Sequence, residues 1–199
     1  MFKFQEKKSG LFYIRQLQLK FYCPKNEVIS ALFYLEKFLF DNYSFSEEIP
    51  ASVLKQKWLY EMIEKDDYSN EVTRNLKVFR NKKLKKNILN TIDDFSKIPY
   101  FSYDRNFFSS LNNFSNNFNK ILTFNNNNNF RTSPVFQFVL LIYINQFKFS
   151  KSIENHLNYE EKVIDFFEIV FLKIFFKNYS HRISKSYYLY KLLLRFLSK

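Results

Sequence analysis

Apolar residues recur three or four positions apart along most of this chain, the spacing that gathers them on one face of an α-helix. Val28, Leu32, Leu35 and Leu39 form one such stripe, with Glu36 and Lys37 off it and Asn26 placed as an N-cap, so a helix is predicted from Asn26 through Phe40. Pro50, with Ser52 behind it, opens a second helix through about Glu64. The polar run from Lys65 to Asn70 breaks the pattern and reads as a linker. A third helix is predicted over about 70–79 and a fourth over about 82–95, with Pro99 ending that run. Phe107, Leu111, Phe114, Phe118 and Ile121 mark a helix from Arg105 to about Lys120. Beyond Pro134 three more follow, over about 134–147, 158–176 and 184–197. In the first of these, Val135, Val139, Leu140, Ile142 and Phe147 are expected in the core, packed by the helix at 158–176.

One piece has a different character. Ile121 to Phe124, five Asn, and Phe130 to Thr132 read as two short strands around Asn125 to Asn129. Asn tolerates positive φ and forms turns, so it can stand in for Gly at a hairpin tip. A plain surface loop is an equal reading of the same residues. The expected fold is mainly α: a bundle of about six to eight helices with one short β-hairpin at 120–133. It divides into an N-terminal extension with two helices (1–70) and a helical domain (71–199).

Composition adds a partner class and removes several chemistries. The chain has one Gly (Gly10) against 27 Phe and 14 Tyr. Phe, Tyr, Lys, Asn and Ile have AT-rich codons, so the chain reads as the product of an AT-biased genome, either a reduced organelle genome or a biased nuclear one. Phosphate-cradling loops, dinucleotide turns and nucleophile elbows need Gly where backbone meets ligand. One Gly near the N-terminus builds none of these in the usual form. Cys23 is the single cysteine, so no internal disulfide and no cysteine zinc cluster can form. His156 and His181 stand far apart, and Asp66-Asp67 and Asp93-Asp94 are adjacent pairs whose members diverge on a helix. No arrangement of Ser, His and Asp points to an enzyme, and no metal or cofactor is called for. No stretch reaches the roughly 18 uncharged apolar residues of a membrane span, and the N-terminus lacks a secretory apolar region.

Charge carries the functional signal. Lys and Arg number 31 against 19 Asp and Glu, a net +12. Between Val72 and Ile92 lie Arg74, Lys77, Arg80, Lys82, Lys83, Lys85 and Lys86 with no acid, and no acid occurs from Arg105 to Ile153. Carboxylates gather instead between Glu27 and Glu71. Segregation of this kind fits a polyanion: nucleic acid first, then an anionic lipid surface or an acidic protein. Arg74, Lys77, Arg80, Lys82, Lys83, Lys85, Lys86, Lys120, Arg131, Lys177, His181, Arg182 and Lys185 are the candidate RNA-binding residues.

The stretch Phe79-Arg80-Asn81-Lys82-Lys83-Leu84-Lys85-Lys86-Asn87-Ile88-Leu89 resembles the signature of bacterial-type small-subunit ribosomal protein seven. In that family a helix ends at a basic turn of the form Arg-Asp-Gly-Lys-Lys. Downstream come a helix, a protruding hairpin, a Pro opening an apolar helix, an amphipathic helix, a basic loop and a C-terminal helix. Here Phe107 to Ile121, Ile121 to Ser133, Pro134 to Ile144, Tyr159 to Phe176, Lys177 to Lys185 and Ser186 to Lys199 follow the same order. Asn81 takes the place of the turn's Gly, Asn fills the hairpin tip, Tyr143-Ile144 replaces the usual Arg-Trp, and residues 1–70 are unmatched. The resemblance implies a structural protein on small-subunit rRNA in the ribosomal head, beside neighbouring ribosomal proteins. It also puts exit-site tRNA and mRNA near the hairpin. With the codon bias, it implies a mitochondrial, organelle-encoded protein. The alternative expectation is a peripheral subunit of an organelle inner-membrane complex, respiratory or ATP synthase.

Overall fold

A computed structural model describes residues 12–43, 49–99, 105–124, 130–145, 165–178 and 191. Its helices are α1 (Tyr13–Tyr22), α2 (Glu27–Asp41), α3 (Ile49–Glu64), α4 (Glu71–Arg74), α5 (Lys82–Ser96), α6 (Arg105–Phe124), α7 (Pro134–Asn145) and α8 (Phe166–Asn178), with a 3₁₀ turn at Lys77–Arg80. The mainly helical expectation holds. The helices before residue 70 and those after it share one apolar core. At its centre α2 packs on α6 and α7, while α5 and α6 form an antiparallel pair, α3 covers α5, and α1 lies against α2 and α8.

Local chemistry explains where the elements start and stop. Asn26, Asn70 and Asn81 cap α2, α4 and α5 through side-chain oxygens that accept from Ile29 N at 3.1 Å, Val72 N at 2.9 Å and Lys83 N at 3.0 Å. Asn81 therefore serves as a cap at φ −57°, not as a left-handed replacement for Gly. Positive φ falls instead on Lys25 and Asp66. Asp66 ends α3 in a Schellman arrangement: its N–H donates to Ile63 O, and Asp67 N–H donates to Met62 O at 2.8 Å. Gly commonly takes that position, and Asp tolerates it better than most residues.

Three expectations change. First, Ile121 to Phe124 are not a strand; they are the last turn of α6. Ile121 and Leu122 are fully buried and continue the stripe of Leu111, Phe114 and Phe118, so helical burial outweighs their β-propensity. No β-hairpin is present among the described residues, and the proposed tip, 125–129, lies outside them. Second, the helix expected over 70–79 is broken at Asn75-Leu76 into α4 and the 3₁₀ turn. Third, α1 was not expected, because its buried side is partly polar: Ile14, Arg15 and Gln18.

The core is Phe-rich. Phe95 and Phe114 meet edge-on at 5.2 Å, and Phe40 stacks on Phe95 at 5.6 Å. Such pairs contribute about 0.5–1.5 kcal/mol each beyond area burial. Val139, Leu140 and Ile142 are buried and Val135 half-buried, while Phe136 and Tyr143 of α7 hold Phe171 of α8. Phe147 lies outside the described residues. Among those residues no helix is long and apolar enough to cross a membrane.

Candidate functional site

The basic segment is built on a period of three. Thr73, Leu76 and Phe79 are buried, whereas Arg74, Lys77 and Arg80 are exposed. In a 3₁₀ turn side chains three apart eclipse one another, so Leu76 and Phe79 fall on one line and Lys77 and Arg80 on the next, following Thr73 and Arg74 at the end of α4. Leu76 N–H donates to Thr73 O and Phe79 N–H to Leu76 O, both at 2.9 Å, which fixes the register. The rim continues on α5, where Leu84, Ile88 and Ile92 face the core and Lys82, Lys83 and Lys86 face out.

Two aromatics carry part of this charge. The Arg80 guanidinium lies 5.1 Å from the Tyr68 ring centre, and Lys83 Nζ lies 4.3 Å from that of Phe124. Lys85 departs from the expectation of an exposed, acid-free cluster. It is half-buried, and its Nζ donates to Asp66 Oδ2 at 2.8 Å. The sequence hid that acid because Asp66 reaches it from the end of α3.

Lys120 and Arg131 are both exposed. They flank a bracket in which Asn119 holds Thr132 twice, its Nδ2 donating to Thr132 O at 2.9 Å and its Oδ1 accepting from Thr132 N at 2.8 Å. A side-chain amide thus supplies the two hydrogen bonds that a strand neighbour would have made. Lys177 falls in α8. Its side chain, with His181, Arg182 and Lys185, lies outside the described residues.

Sequence reasoning missed a second charged cluster. Arg15 is wholly buried, and Glu36 Oε1 and Oε2 accept from its Nη2 at 2.6 Å and its Nε at 2.7 Å. Its remaining donors go to Gln18 Oε1 at 2.7 Å, Glu168 Oε1 at 2.9 Å and Thr132 Oγ1 at 3.0 Å, which satisfies all five guanidinium hydrogens. Phe33 and Phe136 lie 4.6 and 4.8 Å from the guanidinium carbon. Glu168 also accepts from Thr132 Oγ1 at 2.6 Å and Ser133 N at 3.0 Å. Burial nevertheless pushes its carboxyl up to about 7, against the pull of Arg15. Gln137 donates to Glu36 at 2.8 Å and accepts from Ser115, carrying the network into α6 and α7.

Arg15, Glu36 and Glu168 are all 0 % exposed, so this clasp fastens α1, α2 and α8 rather than meeting a ligand. Its signal in the sequence was position: Glu36 falls on the face of Ile29, Phe33 and Phe40, where a solvated carboxylate has no place. No protein-family model, no curated protein and no solved structure matches the chain.

Proposed function

We propose that this chain is a structural RNA-binding protein that holds the phosphate backbone through the rim of Arg74, Lys77, Arg80, Lys82, Lys83 and Lys86. One observation carries the reading: the rim's cations are exposed while the residues between them anchor it to a Phe-packed body. Phosphate contacts of this kind give affinity and register without reading bases. The setting we favour is the small subunit of a mitochondrial ribosome. It is supported by the basic turn before α5, the α6 stripe and the Pro opening α7, in the order that small-subunit ribosomal protein seven has them. The hairpin of that order is not part of the support.

The test is fluorescence anisotropy of the purified chain with a labelled small-subunit rRNA fragment, across a salt series, beside a phosphatidylserine vesicle assay. Six phosphate contacts give a slope of log affinity on log salt of roughly −4 to −5. Absence of RNA binding at low salt, or vesicle attachment that survives high salt, would overturn the reading in favour of a lipid surface.

A further inference from the structure

Between α2 and the 71–80 segment lies an open cleft of 540 Å³. Small-molecule sites occupy roughly 300–1,000 Å³. One wall is α2, which presents Glu27, Ser30, Ala31 and Tyr34; the other presents Arg74, Lys77 and Val78. Positions 27, 30, 31 and 34 share one helical face. Ser30 and Ala31 are small, so they leave the floor open between the carboxylate at one end and the ring at the other. Glu27 and Tyr34 stand two turns apart, about 10.5 Å along the axis, and Tyr34 leans towards Glu27 because helical side chains tilt to the N-terminus. Among the described residues, none of Glu27, Arg74 and Lys77 is engaged in an ion pair.

These groups match the parts of one nucleotide. We infer that the cleft takes a single unpaired guanosine of the bound RNA, with its base against the Tyr34 ring and its phosphate at Arg74 and Lys77. An ionised carboxylate only accepts hydrogen bonds. Glu27 therefore suits a base edge with two adjacent donors, the N1–H and N2 amine of guanine. A phosphate alone would be repelled by Glu27, and an apolar peptide would leave three charges unmatched. The inference rests on the RNA reading above and adds to it a site that reads a base.

The probes are a fluorescein-labelled oligouridylate with one central guanosine, the same strand with inosine or adenosine there, and a fully paired RNA hairpin. Tyr34→Leu is expected to weaken binding of the guanosine strand roughly 5- to 150-fold, the range for losing one stacked base. Salt slope and affinity for the paired hairpin should stay as in the parent, and Tyr34→Phe should retain full affinity. Glu27→Gln changes an exposed residue, and it should abolish the preference for guanosine over inosine and adenosine. If the parent chain binds RNA with a steep salt slope but shows no guanosine preference, or keeps it in Glu27→Gln, the pocket is refuted and the RNA reading stands. If the parent binds none of the probes, both fall.

Discussion

The guanidinium of Arg15 donates to the carboxylate of Glu168 at 2.9 Å, across 153 residues of chain. Glu36 takes the same guanidinium from the other side in a bidentate pair. One cation thus stands between two carboxylates, in a site sealed from water. Removing one partner of such a site is far more damaging than never having built it, because the survivors are left charged and unpaired. Arg15→Met should lower unfolding stability by roughly 3–5 kcal/mol. Adding Glu36→Gln and Glu168→Gln should recover part of that loss. Urea denaturation followed by circular dichroism reads both, and a triple variant no more stable than the single one would contradict the account.

Glu168 also sets a pH dependence. Burial holds its folded carboxyl at about 7, above the usual 4.5, with Arg15 pulling down and Asp165 pushing up. Between those values the folded chain binds more proton than the unfolded chain, so stability falls as pH rises through the window. The urea midpoint should be higher at about pH 5 than at about pH 8. Glu168→Gln should flatten the difference. A midpoint that climbs over that interval would show the carboxylate fully ionised among its four donors, Arg15, Gln18, Thr132 and Ser133.

Lys82, Lys83 and Lys86 are exposed on α5 and bear no core packing of their own. Changing all three to Ala should leave helical circular dichroism intact. It should also reduce the salt slope of RNA binding by roughly 2 to 3, about 0.7 to 0.9 per lost phosphate contact. Lys85→Ala belongs in a separate variant, since its bond to Asp66 ties α5 to the end of α3. An unchanged slope in the triple variant would remove α5 from the interface.

Asn119 replaces a strand neighbour for Thr132. Asn119→Ala should cost roughly 1–3 kcal/mol, the penalty for orphaning buried backbone groups. Asn119→Asp keeps the acceptor for Thr132 N but sets a carboxylate oxygen against Thr132 O, so it should cost at least as much as Ala. A loss in Asn119→Asp well below that of Asn119→Ala would mean that the bond accepted from Thr132 N carries the bracket alone.

The helices were legible wherever one face was apolar and the other wet. Asn26 and the Val28–Leu39 stripe marked α2, and Phe107 to Ile121 marked α6 almost to its end. Burial on both faces blurred the rest. Glu36 was set aside as lying off the stripe, yet α2 has core on that side too, and the partner that Glu168 finds in Arg15 lies 153 residues away along the chain. The break between α4 and the 3₁₀ turn was written in the spacing of Thr73, Leu76 and Phe79, three apart rather than three and four. Ile121 to Phe124 have strand-forming side chains, and local preference pointed the wrong way because the burial of Ile121 and Leu122 is decided by α6 as a whole. The candidate cations were legible as exposed groups, but the pairing of Lys85 was not, since Asp66 lies 19 residues away along the chain.

The clasp also orders events in time. Synthesis runs from the N-terminus at roughly 5–20 residues per second, so Arg15 emerges roughly 8 to 30 s before Glu168 exists to receive it. Until then Arg15 has Gln18, Glu36 and Thr132 within reach, and Tyr22 has Phe130, but neither has α8. The clasp is therefore closed only when α8 has emerged, and a chain cut short before Glu168 would leave one guanidinium hydrogen of Arg15 without its acceptor.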